Sequence, residues 1–131
     1  MAGERILVVD DNLLNLKLAT AVLVRAGYRV DGAASAKEAV ARLEREPPQL
    51  IILDLRLPEV DGLELARTWK RDARFCNIPI IAMTASGLRS DEDDARLAGC
   101  QHYMAKPFVL DELLARVAHC LNGTHDVGPT A

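Results

Sequence analysis

Ile6-Leu7-Val8-Val9-Asp10-Asp11-Asn12 sets four apolar residues directly against two carboxylates and an amide. An unbroken apolar run, rather than an alternating one, predicts a strand covered on both faces, as in a parallel sheet. The same pattern recurs at 50–53, at 78–83 with Pro79 near its start, and more weakly at 103–105. Residues 28–33 are less apolar and predict an edge strand.

Helical patterns fill the intervals. Asn15, Leu18, Ala19, Val22, Leu23 and Ala26 repeat at three and four residues, which predicts one buried stripe ending at Gly27, a good C-terminal cap. Leu13, Leu14 and Leu16 fall off that stripe and predict an exposed apolar patch, read either as a docking surface for a partner helix or as leucines that pack on neighbouring loops or simply lie exposed. Ser35 with Glu38 three residues on is a capping box, and Pro47-Pro48 ends the helix it opens. A third helix is expected over 62–72, with Trp69 packed along it, and a fourth over 90–98, stopped by Gly99. The fifth shows Leu110, Leu113, Leu114, Val117, Ala118 and Leu121 on one face and is expected to stop near Asn122-Gly123. Five strands alternating with five helices predict an α/β fold: one parallel sheet with helices on both faces. The expected unit is residues 4–121, with 122–131 a disordered tail.

Composition agrees with a single domain. The chain has 131 residues, half of them hydrophobic and 27% charged, enough to bury a core without disulfides or a structural metal. A formal net charge of −3 lacks the basic patch of a nucleic-acid binder. Cys76, Cys100 and Cys120 form no Cys-x-x-Cys pair, which argues against a disulfide framework or zinc site and for a reducing compartment. Neither a signal-peptide core nor a membrane-length apolar run is present, so a soluble, cytoplasmic protein is expected.

In open parallel α/β sheets, ligands sit outside the carboxyl ends of the strands. Here the strands end in Asp10-Asp11, Asp54, Thr84 and Lys106-Pro107. Crowded carboxylates repel unless a cation neutralises them, and an all-oxygen set suits Mg²⁺. A phosphoryl group is the matching guest: Mg²⁺ and a lysine meet its charge, a hydroxyl bonds an oxygen, and a carboxylate can act as nucleophile. A P-loop or dinucleotide fold would need a glycine-rich turn where this chain has Asp-Asp-Asn. An aspartyl phosphatase of the haloacid dehalogenase type would resemble Asp-x-Asp, which neither Asp10-Asp11-Asn12 nor Asp54-Leu55-Arg56 matches.

Taken in order, Leu7-Val8-Val9-Asp10-Asp11-Asn12, Leu53-Asp54-Leu55-Arg56-Leu57-Pro58 with Asp61-Gly62, Met83-Thr84-Ala85, Ala98-Gly99 and Lys106-Pro107-Phe108 resemble the receiver domain of two-component response regulators. The resemblance implies a flavodoxin-like, doubly wound, five-stranded sheet of order 2-1-3-4-5. It further implies that Asp54 accepts a phosphoryl group from a phosphohistidine of a partner kinase or phosphotransfer protein. Asp11, Asp54 and the Arg56 backbone carbonyl would hold Mg²⁺, with Asp10 assisting through water. Lys106 and Thr84 would meet the phosphoryl oxygens, Tyr103 would be the aromatic switch, and Lys106-Pro107 would be cis. By the same resemblance, Arg56 and Ser86 would occupy positions that tune water access to the acyl phosphate in the family. The face of the fourth helix, fifth strand and fifth helix would carry the output. Asn12 and Asn15 resemble single-domain cell-cycle regulators and receivers of hybrid kinases.

Plainer readings compete for the remaining residues. Asp91-Glu92-Asp93-Asp94 fits the acidic first turn of a helix better than a metal site. His102, His119 and His125 share no metal-ligand spacing and are read as ordinary side chains. No effector region follows Leu121, so output is expected through a partner, a further relay, or a larger protein. The alternative function is a receiver-like interaction module that needs no phosphorylation.

Overall fold

The structure, a computed structural model, describes residues 3–84, 89–105 and 109–130, the side chains of 89–91 and 122–130 excepted. Strands and helices alternate: β1 (Arg5–Val9), α1 (Leu13–Arg25), β2 (Arg29–Ala33), α2 (Ala36–Arg45), β3 (Leu50–Asp54), α3 (Gly62–Arg71), β4 (Ile80–Thr84), α4 (Arg89–Leu97), β5 (His102–Ala105) and α5 (Leu110–Thr130). All strands are parallel, in the order β2-β1-β3-β4-β5. β3 and β4 are buried along their whole length, while β2 lies at the edge, as their apolar content predicts.

Because successive side chains alternate across a strand, each strand feeds two cores. Leu7, Val9, Ile51, Leu53, Ile80 and Ala82 face the layer containing Leu43, Ala66, Trp69 and Ala95 of α2, α3 and α4. Ile6, Val8, Leu50, Ile52, Ile81 and Met83 face Ala19, Leu23, Leu113 and Val117 of α1 and α5. Each fully buried Leu or Ile contributes about 1.5–3 kcal/mol, so the two cores fix the strand register and with it the strand ends.

Local chemistry sets the boundaries. Asn12 caps α1 by accepting from the Asn15 amide at 3.0 Å, and Gly27, at φ 105°, takes the left-handed turn that ends it. Ser35 accepts from the Glu38 amide at 3.2 Å, and Glu38 reaches back to the Ala34 amide at 2.9 Å, the expected capping box displaced by one residue. β4 begins after Pro79, which has no amide to give the ladder.

Two expectations shift. In α1 the residues facing the core are Ala19 and Leu23 with Leu16 beside them, whereas Leu18 and Ala26 are exposed. Apolar residues surround α1 on nearly every side, so periodicity alone admitted either face. α5 does not stop at Asn122-Gly123; it continues to Thr130. A glycine within a helix costs about 1 kcal/mol relative to alanine, a penalty rather than a stop. Among the described residues, no helix is long and apolar enough to cross a membrane.

Candidate functional site

Val9 pairs with Leu53 across β1 and β3, so the residues that follow, Asp10 just past the end of β1 and Asp54 as the last residue of β3, stand side by side. The Asp10 amide donates to the Ala33 carbonyl at 3.0 Å and the Leu55 amide to the Met83 carbonyl at 2.9 Å. These bonds carry the β ladder to Asp10 itself and one step past Asp54, and so fix both backbones. Thr84 ends β4 opposite Ala105 of β5. Asp10, Asp54 and Thr84 are 3%, 3% and 2% exposed and are the buried polar residues among those described. Asp11 stands exposed at the mouth.

One oxygen from each of Asp10, Asp11 and Asp54 lies within 4.8 Å of the other two. Backbone amides aim two of these carboxylates. The Asn12 N–H donates to Asp10 Oδ1 and the Arg56 N–H to Asp54 Oδ1, each at 2.9 Å. Each is an Asx turn in which a carboxylate at a strand end is caught by the amide two residues on. Three negative charges at this spacing, two of them out of water, form a cluster whose repulsion a hard dication relieves.

A cleft of about 460 Å³ opens beside the cluster, between Asp11 and Thr84 on one side and Pro58, Val60 and Leu63 on the other. Its wall is the loop from Leu55 to Asp61. Arg56 pairs with Asp61 in an isolated antiparallel bridge, and Asp61 caps α3 by accepting from the Leu63 amide at 2.9 Å. The Gly62 amide donates to the Leu55 carbonyl at 3.2 Å. A Cβ at Gly62 would stand 2.6 Å from Leu55 Cα and 2.7 Å from its carbonyl oxygen, so only glycine lets α3 start this close to the end of β3.

The structure therefore gathers Asp10, Asp11, Asp54, Arg56 and Thr84 at one end of the sheet. Tyr103 lies in β5 opposite Ala82, partly buried against the α2, α3 and α4 core. Lys106, the Lys106-Pro107 bond and Ser86 lie outside the described residues. The acidic stretch of α4 behaves as a solvated helix turn, with Glu92 and Asp93 paired to Arg96 at 3.4 and 3.1 Å. Leu13 and Leu14 stand exposed next to this end, as expected, while Leu16 turns inward. Sequence reading missed the aiming amides of Asn12 and Arg56; an Asp at a strand end followed by a loop is the signal that could have found them.

Comparison with known proteins converges on one family. The profile described as response regulator receiver domain matches residues 6–118. The polar-differentiation response regulator DivK of Brucella ovis is 35% identical over 114 residues, spanning 87% of this chain and 93% of its own. The crystal structure of a putative response regulator from Chloroflexus aurantiacus superposes with a TM-score of 0.87 at 34% identity, covering 91% of this chain and 98% of that one. A CheY-like receiver domain protein from Methanospirillum hungatei also gives 0.87, at 28% identity over 95% and 98%. The order of the five parallel strands is that of this group, and the chain belongs to the response regulator receiver family.

Proposed function

We propose that the protein is a phosphoacceptor of two-component signalling or of a phosphorelay, taking a phosphoryl group from a phosphohistidine onto Asp54. The observation that carries this reading is the convergence of Asp10, Asp11 and Asp54 at the buried ends of two adjacent strands, in a chain of the receiver family. Asp54 Oδ1 accepts from the Arg56 amide, which orients the carboxylate, and one of its oxygens is assigned the attack. That oxygen bonds to phosphorus, the phosphorus–nitrogen bond breaks, and the imidazole departs with the bonding electrons to be protonated.

Mg²⁺ fits the donor set: three carboxylates within reach of one another, all hard oxygens. Asp11, Asp54 and the Arg56 backbone carbonyl would hold it, with Asp10 acting through water; when bound it neutralises the acidic cluster and the incoming phosphoryl oxygens. Thr84 would donate its hydroxyl to a phosphoryl oxygen, and Lys106 would match the remaining charge. Tyr103, packed two positions before the residue opposite Thr84, would register the change. Differential contacts of the charged and uncharged site with these groups would bias two conformations of the α4, β5 and α5 face. The function is that of a signalling domain rather than of a conventional enzyme, with phosphorylation and dephosphorylation supported by its own site. The protein is read as cytoplasmic, and the implied partners are a histidine kinase or histidine phosphotransfer protein and an output protein, with no nucleic acid and no membrane insertion.

Intact mass after incubation with Mg²⁺ and a small phosphoramidate or acyl phosphate tests the reading. The expected result is one phosphoryl addition that requires Mg²⁺ and is absent in Asp54→Asn. No addition, with beryllofluoride also failing to bind, would instead favour an interaction module that works without phosphorylation.

A further inference from the structure

His102 and His119 are far apart in the chain, yet the fold brings their rings to 5.3 Å between centroids, with planes at 89°. We propose that they form a site for an imidazole-favouring divalent transition metal of the zinc class, tying β5 to α5. Both backbones are fixed independently. His102 is laddered opposite Ile81 of β4, and α5 is anchored on the sheet by buried Leu113, Val117 and Cys120.

The spacing suits the chemistry. With zinc–nitrogen bonds of about 2.1 Å and each centroid roughly 1.1 Å beyond its nitrogen, two imidazoles on a tetrahedral ion have centroids about 5.2 Å apart. Rotation about χ2, which is broad for histidine, turns the nitrogens toward a common point without moving either element. His119 is exposed and His102 half-buried, so an ion can reach the pair. A cleft of about 130 Å³ beside His102, lined also by Glu92, Gln101 and Arg116, leaves room for waters to complete the coordination. Arg116 opposes a cation, but its guanidinium donates to Glu112 at 3.5 Å, which offsets part of its charge. Burial, helped by His119 and Arg116, holds His102 below the ordinary histidine range, so its neutral ligating form prevails near neutral pH.

Imidazole nitrogen and the carboxylate oxygens of the acidic cluster select different ions, so the two sites load separately. The test titrates the full chain with Zn²⁺ in excess Mg²⁺, reading uptake by calorimetry and histidine ring resonances by NMR. One Zn²⁺ per chain is expected, moving the His102 and His119 rings together and leaving His125 unmoved. His119→Gln, on an exposed helical position, should weaken uptake by at least about tenfold with the circular dichroism unchanged. The proposal is overturned if no saturable uptake occurs, if Mg²⁺ displaces the ion, or if His119→Gln and His102→Gln bind as tightly as the parent.

Discussion

The two ends of the sheet are built on opposite electrostatic rules. At the amino end, charges are matched: Arg5 reaches Asp31 at 3.3 Å and Glu46 at 2.7 Å. There too the half-buried Lys70 donates to the carbonyls of Cys76 and Ile78 at 3.2 and 2.6 Å. At the carboxyl end, carboxylates are gathered: Asp10, Asp11 and Asp54 converge, two of them buried, with backbone amides among the groups that aim them. The amino end is arranged for stability, and the carboxyl end gathers carboxylates whose mutual repulsion a dication would relieve. The same central strands run through both, so the cores that stabilise one end position the other.

The largest expected effect removes what the two ends share. Ile52→Ala deletes a fully buried side chain one turn of the pleat before Asp54 and should lower unfolding free energy by about 2–5 kcal/mol in chemical denaturation. Phosphorylation should fall in step with the folded fraction. Gly62→Ala should act more locally: the overlap with the Leu55 backbone forces the β3 to α3 loop outward, costing about 1–3 kcal/mol and slowing phosphorylation of the protein that remains folded.

Smaller effects separate the ends. Arg5→Ala should cost about 1 kcal/mol, since its partners are partly solvated, with no change in the rate of phosphorylation by a small donor. Asp10→Asn keeps an acceptor for the Asn12 amide but removes a charge, so it should weaken Mg²⁺-dependent stabilisation and phosphorylation. If Asp10→Asn leaves Mg²⁺-dependent stabilisation and phosphorylation unchanged while Arg5→Ala slows phosphorylation, the contrast between the ends is wrong. The smallest change in stability belongs to Leu14→Ser, within about 0.5 kcal/mol, because Leu14 is 66% exposed. It should leave small-donor phosphorylation intact and slow transfer from a phosphohistidine partner; equal transfer rates would remove that surface from the docking account.

Much of this contrast was legible in the chain. Strand ends are where apolar runs stop, and the polar residues there, Asp10, Asp54 and Thr84, needed only the rule that parallel sheets bind ligands at their carboxyl ends. What sequence left open had a physical cause in each case. α1 is apolar on several sides, so its buried face was decided by packing against β2, where Leu16 lies 3.3 Å from the position a Cβ on Gly32 would take. The end of α5 was read from a glycine, a weak signal beside continuing helical hydrogen bonding. The aiming of Asp10 and Asp54 depends on backbone amides, which every residue carries and no motif displays. The meeting of His102 with His119 depends on the height at which α5 crosses β5, a tertiary quantity that spacing along the chain does not encode.

The central claim is that Asp54, and neither of its two acidic neighbours, is the nucleophile. Reductive trapping with borohydride converts an acyl phosphate to the alcohol, and peptide mapping then reads which aspartate carried it. After Mg²⁺-dependent phosphorylation, the account predicts conversion at Asp54 alone. Conversion at Asp10 or Asp11, or full phosphoryl uptake with Asp54 left as an unmodified carboxylate, would contradict it.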